Sequence, residues 1–229
     1  MPRDRSSPGE VPDLAPLIDH ALLDPLQGWA SVERCLEEAR HFGFAGVCLA
    51  SRWIPAARER LPLGGPVRLI SVVGFPFGAV PAAIKRAEAE AAVAAGADEL
   101  DVVPDFAALI DRDSTVLHDD LAAITDLGAP VKVILEMGRL DPESLALLVE
   151  VSLDAGARFL KTGSGFGPPV TVEQVGRLRE LARGRAAVKA AGGIADLEQA
   201  QALVLAGAAR LGTSRGVALM QAQRAGSTA

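Results

Sequence analysis

The chain has 229 residues, 49% of them apolar and 23% charged, with 23 Lys+Arg against 29 Asp+Glu for a formal charge of −6. These ordinary globular values exclude an intrinsically disordered chain, and the absence of a basic excess speaks against a nucleic-acid partner. No apolar run reaches the ~18–20 residues of a bilayer span, residues 1–10 lack the apolar core of a secretory signal, and Cys35 and Cys48 form neither a disulfide framework nor a metal motif. No membrane partner is expected, and a reducing cytoplasm is the expected setting.

Eight runs are predicted strands: Leu17 to His20, Gly46 to Ala50, Val67 to Val73, Glu99 to Val103, Val131 to Glu136, Arg158 to Thr162, Ala186 to Ala190 and Ala209 to Gly212. Between them lie helical stretches. Pro81 to Ala95 is rich in Ala, Glu, Lys and Arg. Asp141-Pro142-Glu143 and Thr171-Val172-Glu173 read as helix starts with a capping side chain and an early acid, and Asp196 to Leu205 follows the same plan. Seven of the 23 glycines stand just before strands: Gly43, Gly64, Gly96, Gly128, Gly156, Gly184 and Gly207. Glycine ends a helix in the left-handed conformation at little steric cost. Strand–helix alternation with short links implies a parallel sheet, and eight units in this length match a single-domain (β/α)8 barrel. The barrel is assigned to residues 11–222, with flexible tails at 1–10 and 223–229.

Reactive groups in such a barrel belong at the C-terminal ends of strands. Lys161 and Lys189 both stand there, on neighbouring strands, at alternate positions with Phe159 and Ala187. They either point together into the barrel or face the helices and snorkel to solvent. Paired in one cavity, two ammonium groups ~5 Å apart repel by roughly 3 kcal/mol, on the order of two pKa units. That repulsion would favour a neutral amine fit to attack a carbonyl. Asp101, sharing a strand face with Glu99, is a candidate to hold a hydroxyl and pass protons, or else a buried ion-pair partner. Lys132 and Glu136 on the fifth strand and Asp19 on the first add interior charge, so a coupled network is expected.

Three loops are small and rich in donors: Gly163-Ser164-Gly165, Ala190 to Ile194, and Gly212 to Gly216. Loops after strands seven and eight commonly hold phosphate in these barrels, although turn geometry alone explains such glycines nearly as well. Cys48 is either a reactive thiol or a buried structural one, and Cys35 is read as core. His20 either joins the strand-one cluster or is structural. His41 and His118 are read as solvent-facing. Arg52 and Arg215 are candidates for an anion contact or plain surface charges.

From Leu17 to Leu219 the chain resembles the deoxyribose-phosphate aldolases. The resemblance rests on Ile18 to Leu23, Val73 to Gly78, Glu99 to Val103, Lys132 to Glu136, Lys161 to Gly167, Val188 to Ile194 and Gly212-Thr213-Ser214. It implies a Schiff-base aldolase that reversibly splits 2-deoxy-D-ribose 5-phosphate into D-glyceraldehyde 3-phosphate and acetaldehyde, with neither a metal nor an organic cofactor. By this matching Lys161 is the Schiff-base lysine, Lys189 its partner, Asp101 the proton relay, and Asp19 and Lys132 supporting members. Gly165, Gly192, Gly193 and Ser214 fall on phosphate contacts, with Thr162 and Ser164 beside them. A homodimer is implied by the family, though no segment reads as an interface. The chain departs from the family pattern at Ser51, at Pro104-Asp105 and at Arg215, and has no tyrosine. Alternatives from the residues alone are another Schiff-base phosphosugar lyase, a transaldolase-like barrel, or a non-catalytic phosphosugar-binding barrel.

Overall fold

A computed structural model describes residues 13–226, so the tail expected at residues 1–10 lies outside them, as do residues 227–229. Within them, eight parallel strands close into a barrel in chain order. They are β1 (Ile18–Leu22), β2 (Gly46–Leu49), β3 (Arg68–Val73), β4 (Glu99–Val102), β5 (Val131–Ile134), β6 (Phe159–Lys161), β7 (Ala187–Ala191) and β8 (Arg210–Thr213). The outer ring is α1 (Trp29–Phe42), α2 (Ile54–Arg60), α3 (Ala82–Ala94), α4 (Phe106–Ile110), α5 (Ser114–Thr125), α6 (Pro142–Asp154), α7 (Val172–Ala182), α8 (Leu197–Leu205) and α9 (Gly216–Gly226). Both α4 and α5 follow β4. The predicted single-domain (β/α)8 barrel is the observed architecture.

Local chemistry sets the helix ends. Asp141 accepts hydrogen bonds from the backbone N–H groups of Glu143 and Ser144, Asp196 from Gln199, and Thr171 with Gln174 completes a reciprocal cap on α7. The seven glycines all have positive φ, from 70° to 114°, although Gly64 lies in a turn beyond α2, which ends in an extended Leu61. Most predicted strand ends shift by one or two residues, and two differences have an evident physical cause. The strand predicted through Glu136 ends at Ile134, because Glu136 turns into the left-handed region with φ 49°. Residues 223–226, expected to be a flexible tail, continue α9. The Gln223 side chain accepts the Leu14 N–H at 3.2 Å, which ties that helix to the start of the barrel.

Strand residues alternate between two very different surroundings. Leu100, Val102, Val133, Leu160, Val188 and Leu211 face outward and pack under the helices in the main core. Burying each aliphatic side chain contributes about 1.5–3 kcal/mol, so this outer layer drives closure of the sheet. Inside the barrel the apolar share is small, a cluster of Cys48, Ile70 and Val72 capped by Phe75. Much of the remaining interior carries charge.

Candidate active site

The interior positions of six strands hold a continuous ionic network. Asp101 on β4 lies at its centre. Its Oδ1 accepts from Lys132 Nζ at 3.0 Å, while its Oδ2 accepts from Lys161 Nζ at 2.9 Å and Lys189 Nζ at 2.8 Å. Asp19 on β1 pairs with Lys189 at 2.6 Å and with Arg210 on β8 at 2.7 Å. Glu99 pairs with Lys132 at 2.5 Å and lies 3.9 Å from Arg210. The register makes this possible, since Asp101 is the direct partner of Lys132, Lys161 of Lys189, and Lys189 of Arg210. Gly212, the register partner of Asp19, leaves room for the lysine stem: a Cβ there would lie 3.1 Å from Lys189 Cε and 2.9 Å from Ala191 Cβ.

Burial opposes ionisation of Asp101, but Lys132, Lys161 and Lys189 outweigh it and hold the carboxyl well below its ordinary value. Burial likewise opposes the charge on Asp19, and Lys189, Lys132 and Arg210 overcome it, so that its value is lowered. For Lys189 the sequence argument has the wrong sign. Burial disfavours its ammonium, but Asp101 and Asp19 more than compensate and raise its pKa. The expected lysine–lysine repulsion is overridden at Lys189 because a carboxylate stands between the two amines.

A cavity of about 400 Å³ opens above this network at the C-terminal mouth of the barrel, and both Lys161 and Lys189 reach its wall. Ser164, Gly165, Gly192, Gly193 and Ser214 line it, as do Cys48, Phe166 and Arg215. Thr162 does not line it. Its hydroxyl donates to the Ala191 carbonyl and accepts the Ala191 N–H, both at 2.9 Å, which clasps the β6 and β7 ends together. Asp19 and Lys132 lie beneath the cavity, in contact with Lys189 and Asp101 respectively.

Other sequence candidates fall into structural roles. His20 faces outward, 2.9 Å from Glu38 of α1 and with its ring tilted against Phe44 at 5.2 Å. Glu136, expected inside the barrel with Lys132, instead turns its carboxylate to the Ser164 N–H in the β6 loop. Arg52 lies over the Trp53 ring at 4.7 Å. Burial pushes the Cys48 thiol up to about 11, with Asp101 adding to the shift. Arg210 was missed by sequence reasoning, though its alternation with Gly212 on a short strand was a readable signal. Among the described residues, no group of three or more His, Cys, Asp or Glu is placed to hold a metal ion, and no helix is long and apolar enough to cross a membrane.

No family model matches the chain. It is 46% identical over 210 residues to the deoxyribose-phosphate aldolase of Thermosynechococcus vestitus, covering 91% of this chain and 96% of that one. Among solved structures, the aldolase QR15 matches with a TM-score of 0.90 at 33% identity, over 94% of this chain and 98% of that one. The deoxyribose phosphate aldolase of Aeropyrum pernix, described as a unique tetramer, matches with a TM-score of 0.84 at 35% identity, over 92% and 91%. Barrel, interior lysines and near-full-length relatives agree: the chain belongs to the deoxyribose-phosphate aldolase family.

Proposed function

We propose that the chain reversibly cleaves 2-deoxy-D-ribose 5-phosphate to D-glyceraldehyde 3-phosphate and acetaldehyde, with Lys161 as the Schiff-base nucleophile. The carrying observation is that Lys161 and Lys189 share Asp101 Oδ2 at the floor of one cavity. Lys189 faces two carboxylates and stays an ammonium, whereas Lys161 faces one. Releasing the Lys161 proton leaves three cations, Lys132, Lys189 and Arg210, opposite three carboxylates, Asp19, Glu99 and Asp101. The cluster thus balances when Lys161 is the free amine.

In this reading Lys161 Nζ adds to the C1 aldehyde of the open-chain sugar. The hydroxyl so formed leaves as water with a proton from Lys189, giving an iminium. The products have two and three carbons, so the C2–C3 bond breaks. Its electron pair flows into the iminium to form an enamine, while the C3 hydroxyl proton passes to the Asp101 network. Asp101 passes this proton on to Lys189, which gave one up to the departing water, rather than storing it. Protonation of the enamine at C2 and hydrolysis then release acetaldehyde and regenerate the amine.

The phosphate is assigned to Gly165, Gly192, Gly193 and Ser214, next to the start of α9, with Ser164 and Arg215 alongside. Thr162 supports this cradle from behind. Asp19 and Lys132 hold Lys189 and Asp101 in place. A cytoplasmic setting and self-association, with a homodimer as its smallest unit, complete the proposal. Two free thiols support the first, and the tetrameric description of the Aeropyrum pernix relative supports the second. Borohydride reduction in the presence of deoxyribose 5-phosphate tests the chemistry. Added mass on the peptide carrying Lys161 is the expected result, and labelling elsewhere, or none in folded protein, rejects it.

A further inference from the structure

We propose that Glu136 is a positioning residue whose carboxylate holds the β6 loop and thereby shapes the phosphate cradle; this rests on the aldolase reading above. Glu136 lies just past β5 in the left-handed region, with φ 49° and ψ 47°, a conformation that costs a non-glycine residue energy and persists where its surroundings enforce it. Backbone bonds on either side supply that enforcement. The Leu135 N–H donates to the Lys161 carbonyl and the Met137 N–H to the Thr162 carbonyl, both at 2.9 Å. The turn between them aims the side chain into the loop that follows the proposed nucleophile.

The side chain is 93% buried, and its carboxylate accepts the Ser164 N–H. The loop closes tightly around it, so that a side chain at either of two glycines would press on the carboxylate. A Cβ at residue 163 would lie 3.2 Å from Glu136 Oε1, and one at residue 167 would collide with Oε2. Ser164 Oγ in turn accepts the Phe166 N–H at 3.1 Å. Ser164, Gly165 and Phe166 all line the cavity above Lys161, whereas Glu136 does not. Glu136 therefore acts through the loop. A carboxylate behind an anion cradle repels the anion, so its value here is geometric. It also occupies the Ser164 N–H, which leaves Gly165 as the backbone contributor of this loop.

The test compares Glu136→Ala and Glu136→Gln in the full chain, using deoxyribose 5-phosphate, unphosphorylated 2-deoxyribose, and amide hydrogen exchange of residues 162–167. For Glu136→Ala, KM for the phosphorylated sugar should rise at least about tenfold with kcat changed by less than about threefold, as expected for a lost charged hydrogen bond away from the reacting atoms. Kinetics with 2-deoxyribose should stay within about threefold, and loop exchange should accelerate. Glu136→Gln, whose amide oxygen still accepts the Ser164 N–H, should restore both KM and protection. Equal losses on both sugars, a fall in kcat alone, or unchanged exchange in Glu136→Ala overturns the proposal. Should Glu136→Ala fail to fold, Gly167→Ala, which pushes a methyl into the carboxylate, must reproduce the KM and exchange changes. A wild-type protein inactive on deoxyribose 5-phosphate overturns the aldolase reading, and the exchange arm still decides whether Glu136 holds the loop.

Discussion

Lys161 of β6 is the direct register partner of Lys189 on β7, and their amines converge on one oxygen, Asp101 Oδ2, at 2.9 and 2.8 Å. Two like charges side by side on neighbouring strands are destabilising on their own. Asp101 reaches them from β4, on the far side of β5, and turns the repulsion into a three-centre attraction. The two lysines are still not equivalent, because Asp19 adds a second carboxylate 2.6 Å from Lys189 alone.

That asymmetry predicts opposite stability costs for two chemically identical substitutions. Lys161→Leu removes one cation and leaves the network balanced, so its thermal midpoint should stay within a few degrees of the wild type. Lys189→Leu instead removes a close partner from two buried carboxylates at once, leaving Asp19 with Arg210 alone, so its cost should be larger and approach the roughly 3–5 kcal/mol of a broken buried pair. Turnover of deoxyribose 5-phosphate should fall beyond detection in Lys161→Leu, which has lost the proposed nucleophile. Paired melting curves and activity assays check both. A Lys161→Leu variant less stable than Lys189→Leu would contradict the unequal pairing of the two lysines.

The barrel was legible because its signals are periodic. Each strand shows alternation or a continuous apolar run, and most helix ends show a cap or a glycine, α2 being an exception. Lys161, Lys189 and Asp101 were legible because a charge at an alternate strand position violates that pattern. Their mutual electrostatics were not, since the sign of the Lys189 shift depends on Asp101 and Asp19 arriving from β4 and β1. Glu136 shows the same limit: an apolar run does not reveal where the backbone turns left-handed. Thr162 looked like a ligand contact because it follows Lys161, but side chains alternate, and its hydroxyl points to the β7 backbone instead.

Both thiols should be inert in the folded enzyme. Burial pushes Cys48 up to about 11 and Cys35 up to about 12, so neither supplies thiolate at neutral pH. A disulfide-exchange reagent at pH 8 should label neither within an hour, and both promptly in denaturant. Fast labelling of the native protein would show that Cys48, on the cavity wall, is reachable and ionised.

Stability should be highest between about pH 5 and 8.5. Asp101 and Asp19 are depressed in the fold, so their contribution is fully present above the unfolded carboxylate value near 4 and disappears as pH falls through the folded values. The two cysteines are raised, so their contribution is fully present below about 8.5 and declines as pH rises toward their folded values. Lys189, also raised, adds its loss only at more extreme alkali. Melting temperatures across this range check the shape. A protein still gaining stability as pH falls below 4 would refute the acid limb.

The last prediction concerns a second buried ion pair, outside the barrel. Lys85 of α3 and Asp120 of α5 meet at 2.6 Å with side chains 0% and 2% exposed, and Asp120 also accepts the Asp105 N–H at 3.1 Å. The Lys85 stem lies beneath Gly74 of the β3 loop, where an added Cβ would sit 3.2 Å from its Cε. The pair therefore joins the loops after β3 and β4. Removing one partner leaves a naked charge in a dry site, so Lys85→Met or Asp120→Leu alone should cost about 3–5 kcal/mol. Removing both eliminates the stranded charge and leaves chiefly the Asp105 N–H without its acceptor, about 1–3 kcal/mol. The double variant should thus be more stable than either single one, which urea denaturation of the four proteins measures directly. Simple additivity of the two single losses would show that the pair is solvated and that these loops are held by other contacts.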